Sequence, residues 1–539
     1  MAAPLPWWKT SVIYQIYPRS FYDANGDGLG DLPGLTAKLG YVADLGVDAV
    51  WLSPFYRSPM VDFGYDVADY TDVDPRFGTL ADFDALVEAA QAQGLKLVVD
   101  FVPNHSSDRH PWFAESRRSQ TNPKRDWYVW KDPAPDGGPP TNWLSIFGGP
   151  AWTFDEARGQ YYLHSFLPEQ PDLNWRHPAV VEAMFDVLRF WMDRGVDGFR
   201  IDVAHFIMKD PAFRDNPPNP TRRTLHKDMG DYDTLLPVHS GGHPDVHPMY
   251  RRIRRLVDEH DPDVERVTIG EIHVFDLDAW TAYYGADLDE FHLPFNFTLL
   301  RAPWTAAGIR EQVDALETAL PEGAWPTYVL GNHDEQRIAT RLGGEAQARQ
   351  AALLLLTLRG TPTLYYGDEL GMREVAIPPA QQQDPWGRRV PGLGRDGCRT
   401  PMPWSNANAA LGFSDADPSA LWLPAGDGRP GVNVATQQDT PTSIFHLYKA
   451  LLALRRTHPA LHQGSYTPLH APANVYAYDR AHGAETFRIL LNFSEAFVDV
   501  PLEMPLDVVL STQMDRLAGS VRGFVRLRAH EGLLLRHLA

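Results

Sequence analysis

DFDALVEAAQAQGLKLVVDFVP, residues 82–103, decides the fold: a helix-like segment, a glycine stop, then a short apolar strand run. The same alternation recurs upstream. VIYQIY (12–17) is a β-rich run, and a helix-like segment ending in LGYVADLG leads into DAVWLSP (48–54). These apolar runs lack period-2 alternation, as strands buried on both faces do. Strand alternating with amphipathic helix predicts an α/β fold with a parallel sheet, closed as a (β/α)8 TIM barrel.

The rhythm breaks after Asn104. Residues 104–172 are rich in Trp, Pro, Gly and Asp, include DPAPDGGPP (132–140), and contain no long helix. That length is too great for a structureless loop in a compact domain, so it reads as a subdomain inserted after strand 3. The barrel resumes with VVEAMFDVLRFWMDRG (180–195) and VDGFRID (196–202). Two further excursions, 209–245 and 374–397, follow strand ends and are expected to wall a pocket. SIFHLYKALLALRRTH (443–458) reads as the last barrel helix, and beyond Gly464 short alternating runs predict an all-β sandwich. The expected division is a barrel over 1–103 and 173–463, an insert over 104–172 and a C-terminal β domain over 464–539.

A net charge of −20 over 539 residues argues against a nucleic-acid footprint and against attraction to anionic membranes. Cys398 is the sole cysteine, which excludes an intrachain disulfide and suits a reducing compartment. MAAPLPWWKT carries no signal-like pattern, and the run 351–358 is too short to span a bilayer. A soluble cytoplasmic protein, monomeric or a weak homo-oligomer, is the expectation.

Three strand-like runs end in carboxylates: Asp202 in GFRIDVAHF (198–206), Glu271 in VTIGEIHV (267–274) and Asp334 in VLGNHDEQR (329–337). The C-terminal ends of barrel strands host the chemistry, so these acids can converge. One alone would be a helix cap. Three together suit cleavage of a sugar acetal, where one carboxyl protonates the leaving oxygen and another attacks the anomeric carbon. Arg200, two residues before Asp202 on the same strand side, would keep that carboxylate ionised as a nucleophile. Glu271, after an apolar run, is expected to have a raised pKa and act as general acid. Asp334 would oppose an oxocarbenium-like charge. DFGYD (62–66) adds Asp62 beside Tyr65, and DFVPNH (100–105) ends in His105.

In order and separation, DFVPNH, GFRIDVAHF, GEIHV and GNHDEQR resemble the conserved regions of glycoside hydrolase family thirteen, the α-amylase superfamily. QPDLNW (170–175), VIYQIYPRSFYDANGDGLGDLPG (12–34) and GRDGCRTPMPW (394–404) are similar to its α-glucosidase and oligo-1,6-glucosidase group. The resemblance implies that Asp202 is the nucleophile, Glu271 the acid/base and Asp334 the transition-state stabiliser. It implies that Asp62, Tyr65, His105, Arg200, His333 and Arg399 line the subsite for the non-reducing glucose, with Phe147, Phe166 and Phe297 as hydrophobic walls. An Arg399–Asp62 pair is expected to close the far end and impose exo action. Small neutral α-glucosides are the implied substrates.

DANGDGLGD (23–31) alternates Asp23, Asn25, Asp27 and Asp31, with the Leu29 carbonyl between, a cage suited to Ca²⁺ or Mg²⁺. It resembles the family's structural metal loop, so Ca²⁺ is expected; the alternative is a solvated acidic turn. No organic cofactor is expected. Rival readings are a transglucosylase or trehalose synthase on the same fold and a non-catalytic transporter subunit, the last disfavoured by the retained acids. Val203, directly after the nucleophile, resembles the residue of α-1,6-acting members, and mixed α-1,4 and α-1,6 activity is expected.

Overall fold

The computed structural model describes residues 5–221, 227–426, 428–516 and 518–538; residues 222–226 of the 209–245 excursion lie outside them. Seven parallel strands form the barrel sheet: β1 (Ile13–Ile16), β2 (Ala49–Leu52), β3 (Lys96–Phe101), β4 (Gly198–Ile201), β5 (Val267–Gly270), β6 (Leu293–Pro294) and β7 (Thr363–Tyr365). Their order is β6–β5–β4–β3–β2–β1–β7, so chain neighbours are spatial neighbours and β7 returns beside β1. Every residue of β1, β2, β4 and β5 is buried, which explains the missing period-2 signal.

The remaining barrel position, between β6 and β7, holds no regular strand. Tyr328 makes a single parallel bridge to Asn296, and the Thr361 N–H donates to the Pro326 carbonyl at 2.9 Å. The strand-like run read ahead of Asp334 is therefore corrected to a bridge and a turn. Pro326 has no N–H to give a ladder, and Asn332 Oδ1 already accepts the Asp334 N–H at 2.9 Å.

Helices alternate with the strands at Leu32–Leu45, Leu80–Ala92, Pro178–Asp193, Val246–His260, Ala306–Ala319, Glu345–Thr357 and Ile444–Thr457. Helix 178–193 shows why they form. Pro178 sits at its first position, the His177 ring accepts the Ala179 N–H, and Val180, Val181, Met184, Phe185, Leu188, Trp191 and Met192 bury one face. Gly195, at φ 89°, ends it.

Within 104–172 an antiparallel sheet of Trp130–Lys131, Gln160–Leu163 and Trp152–Asp155 packs around Trp143 and Trp152. Bridges His105↔Asp172 and Tyr128↔Leu173 tie it to the β3 exit. Past residue 464 lie six antiparallel strands and the pair Val498–Pro501/Phe524–Leu527, with an apolar cluster between them that includes Val475, Leu490, Val500, Val525 and Leu533. Among the described residues no helix is long and apolar enough to cross a membrane.

Candidate active site

Strand register brings the first carboxylates together. β3 and β4 pair Asp100 with Arg200, and β4 and β5 pair Ile201 with Gly270, so Asp202 and Glu271 leave adjacent strands side by side. Arg200, 1 % exposed, gives Nη1 to Asp100 Oδ1 (2.6 Å) and Asp202 Oδ1 (2.7 Å), and Nη2 to Glu271 Oε2 (2.7 Å). Val203 follows at φ 35°, ψ 48°, a left-handed conformation rare for a β-branched residue. Its N–H thereby reaches Glu271 Oε2 at 2.9 Å. His273 Nε2 lies 3.1 Å from Glu271 Oε1.

These contacts shift both acids away from their expected directions. Burial pushes Glu271 up, but Arg200 and His273 outweigh it and hold the carboxyl below the usual range. Burial pushes Asp202 well up, and Arg200, shared with Asp100, only partly offsets it. The expectation of a raised Glu271 is corrected in direction: Glu271 collects three donors, from Arg200, Val203 and His273, and is held down, while burial raises Asp202. Arg200 keeps one Nη on each acid, so charge stays paired whichever of them carries the proton.

Asp334 sits across the pocket with 22 % of its side chain open. Burial acts to raise it, while His333, Arg395, Arg399 and Lys227 together drive it well below the carboxylate range. Arg395 is the hub of this side. Its Nη2 donates to Asp62 Oδ1 and Asp384 Oδ1 (2.7 Å each), and its Nη1 to Asp334 Oδ1 (3.0 Å). The expected Arg399–Asp62 pair is thus corrected to Arg395–Asp62. Arg399 binds Asp334 Oδ1 (2.8 Å) and the His333 carbonyl (2.8 Å) instead. The 3-10 turn Asp396–Cys398 separates the two arginines and aims them differently.

Burial pushes His333 down to about 3. Gln15 Nε2 lies 2.7 Å from its Nδ1, leaving Nε2 to face Tyr65 Oη at 2.7 Å. The Tyr65 and His333 rings stack with planes 3° apart. His105, also buried and pushed down to about 4, contacts Gln170 Nε2 at 3.1 Å, and Gln170 Nε2 donates to Asp62 Oδ2 at 3.2 Å. The buried pair Lys209–Asp172 (2.9 Å) anchors this corner.

A cavity of about 710 Å³ opens over these groups. Asp62, Tyr65, His105, Phe147, Phe166, Asp202, Glu271 and Asp334 line it. Arg200, His333 and Arg399 do not line it; they lie beneath, ordering the acids that do. Phe297 is no wall either, because it is buried with its ring flat against His273. Arg395, Lys227, Trp386, His205 and His273 line the cavity and were missed. His205 and His273 stand inside the quoted motifs DVAHF and GEIHV, whose position is the one signal that could have found them; Lys227, Trp386 and Arg395 sit on excursions that periodicity cannot place.

The 23–31 loop is closed by its own oxygens. Asp23 accepts the N–H groups of Asn25, Gly26 and Gly28 and the Ser414 hydroxyl; Asn25 Oδ1 accepts from Asp27, and Asp27 Oδ1 from Leu29. Asp31 caps helix 32–45 through the Gly34 N–H at 2.6 Å. Asp23 and Asp31 are thus committed to the fold, while Asn25 and Asp27 remain exposed with lone pairs free. Among the described residues no group of three or more His, Cys, Asp or Glu is arranged to hold a metal.

A parallel barrel that delivers two carboxylates from strand ends and a third from the adjoining turn into one deep pocket is that of a glycoside hydrolase. The chain belongs to the α-amylase catalytic-domain family, which matches residues 15–464. Over 511 residues it is 43% identical to a probable α-glucosidase of Rhizobium meliloti (strain 1021), covering 92% of this chain and 91% of that one. It is 37% identical to the oligo-1,6-glucosidase of Parageobacillus thermoglucosidasius over 527 residues, covering 91% of each. The crystal structure of the α-glucosyl transfer enzyme XgtA superposes with a TM-score of 0.93 at 41% identity, over 99% of this chain and 100% of that one.

Proposed function

We propose that the protein is a retaining, exo-acting α-glucosidase that releases terminal α-1,4- and α-1,6-linked glucose from disaccharides and short oligosaccharides. One observation carries the reading: a single guanidinium, Arg200, binds both Asp202 and Glu271 at 2.7 Å. That shared partner favours the near carboxyl spacing of retaining enzymes, about 5–5.5 Å, over the ~6.5–9.5 Å of inverting ones. The Asp62–Arg395–Asp334 cluster at one end supports exo action, since it fills the space a further sugar would need.

In this reading an Asp202 oxygen bonds to the anomeric carbon as the glycosidic bond breaks. The bond pair leaves with the glycosidic oxygen, which takes the proton of Glu271. Water then gives a proton to Glu271 and its oxygen to the anomeric carbon, freeing Asp202. Asp334, kept ionised, opposes the positive charge of both transition states. Proton NMR of fresh digests of an aryl α-glucoside, whose leaving group is not a sugar, tests this: α-glucose appears first. First-formed β-glucose, or faster release of internal fragments from a long α-glucan, overturns it.

A second reading, glucosyl transfer, is favoured by the cavity's outer wall. Phe206, Leu236, Val238, Val274, Phe275 and Tyr283 extend the pocket beyond the acids and leave room for an acceptor other than water; XgtA, named for transfer, shares the fold. Product analysis with maltose alone decides between glucose and longer or rearranged disaccharides. We further propose that the 23–31 loop takes a structural Ca²⁺, with Mg²⁺ the alternative, supported by the exposed oxygens of Asn25 and Asp27. Metal analysis and melting with and without chelator test it: bound metal and a lower melting temperature in chelator support the site, and neither result removes it. A reducing, cytoplasmic setting is likewise proposed, on the lone buried thiol of Cys398.

A further inference from the structure

The two oxygens of Glu271 keep unequal company. Oε2 receives Arg200 Nη2 at 2.7 Å and the Val203 N–H at 2.9 Å. Oε1 has one hydrogen-bond partner among the described residues, His273 Nε2 at 3.1 Å. With Oε2 saturated, Oε1 is the oxygen left to meet a leaving group or a water.

His273 is built to hold that oxygen. Its ring lies flat on Phe297, centroids 4.4 Å apart and planes 8° apart, and Phe297 is itself 2 % exposed. The stack fixes the imidazole plane. Nδ1 is buried and has no hydrogen-bond partner among the described residues. A neutral imidazole places its proton where a partner accepts it, and a buried unmet N–H costs more than an unmet lone pair. Both arguments put the proton on Nε2, aimed at the Glu271 carboxylate.

We propose that His273 is the positioning residue of the acid/base carboxyl: its Nε2–H orients Oε1 and sets the pH at which Glu271 gives up its proton. This rests on the acid/base role proposed above for Glu271. The charged and titratable groups facing Glu271 are Asp100 on β3, Arg200 and Asp202 on and just past β4, His205 on the following loop, and His333 and Asp334 across the pocket. None of these contacts Oε1. Donation from His273 favours the carboxylate, the form that activates water in the second half-reaction.

The test is the pH profile of kcat/KM for maltose in His273→Phe, which keeps the stack on Phe297 and removes the N–H. Its alkaline limb, which reports loss of the acid's proton in the free enzyme, is expected about one pH unit higher than in the unaltered protein. Its kcat is expected about tenfold to a hundredfold lower, part of the general acid–base contribution. His273→Gln, which restores a donor, should bring the limb most of the way back. A loss of rate with an unmoved limb in folded His273→Phe overturns the proposal. Should that variant not fold, by circular dichroism and melting, His273→Ala carries the same test. Glu271→Gln is measured alongside: retained turnover there refutes the acid/base reading itself, whereas a dead Glu271→Gln with an unmoved His273→Phe limb refutes only the role of His273.

Discussion

Replacing Arg395 by methionine removes the one cation shared by Asp62, Asp334 and Asp384. Asp334 keeps Arg399, but Asp62 and Asp384, 3 % and 0 % exposed, lose their only ion-pair partner among the described residues. Breaking a buried pair from one side costs about 3–5 kcal/mol. Spread over an unfolding entropy of about 2.1 cal/mol/K per residue for 539 residues, that is a fall in melting temperature of about 3–4 °C. Asp62, which burial already pushes up, then loses the guanidinium that offsets burial, and with it value as an acceptor for a sugar hydroxyl. The same 3–5 kcal/mol, felt by the bound sugar, lowers kcat/KM by about two to four orders of magnitude, mostly through KM. Calorimetry and steady-state kinetics on maltose give both numbers. Adding Asp62→Asn to Arg395→Met should cost far less than Asp62→Asn alone, since the two act as a unit. Additive losses, or an Arg399→Met variant that raises KM more than Arg395→Met does, would refute Arg395 as the partner of Asp62.

Lys209→Met should destabilise by a similar ~3–5 kcal/mol and raise KM, because it leaves Asp172 buried and unpaired beneath the loop carrying Phe166 and Gln170; unchanged melting would contradict this. His105 and His110 are pushed down to about 4, and His205 and His333 to about 3, each by burial. Between an unfolded pKa near about 6.5 and those values the unfolded chain binds protons that the folded chain refuses. Stability therefore falls as pH drops from about 6.5 toward 4, and melting curves across that range should show it; a flat melting temperature would mean that these rings are charged in the folded protein.

The barrel and its acids were legible for a physical reason. Strands buried on both faces leave continuous apolar runs, and the end of each run is marked by the first residue that must reach out, hence Asp202 and Glu271. Legibility faded where geometry depends on turns. Arg395 and Arg399 flank DGC in one short motif, and only the 3-10 turn decides which meets Asp62. Proton placement faded for another reason: Glu271 follows an apolar run, but its partners Arg200, Val203 and His273 come from two strand exits that meet only in the folded chain. Asp31 shows a third limit, since Asp ahead of Leu-Pro-Gly serves a cation and a helix start equally well in sequence, and here it caps.

The left-handed peptide at Val203 joins what the sequence presents as separate parts. Its N–H is fastened to Glu271, its neighbour is Asp202, and its side chain lines the pocket wall. Position 203 is therefore a mechanical coupling between pocket shape and acid chemistry. A side chain that relaxes the backbone there changes the reach of its N–H as well as the room beside the bond. Variants at 203 made to alter linkage preference should be read on kcat and pH profile together with KM, because a change of substrate choice at this position carries a change in the acid itself.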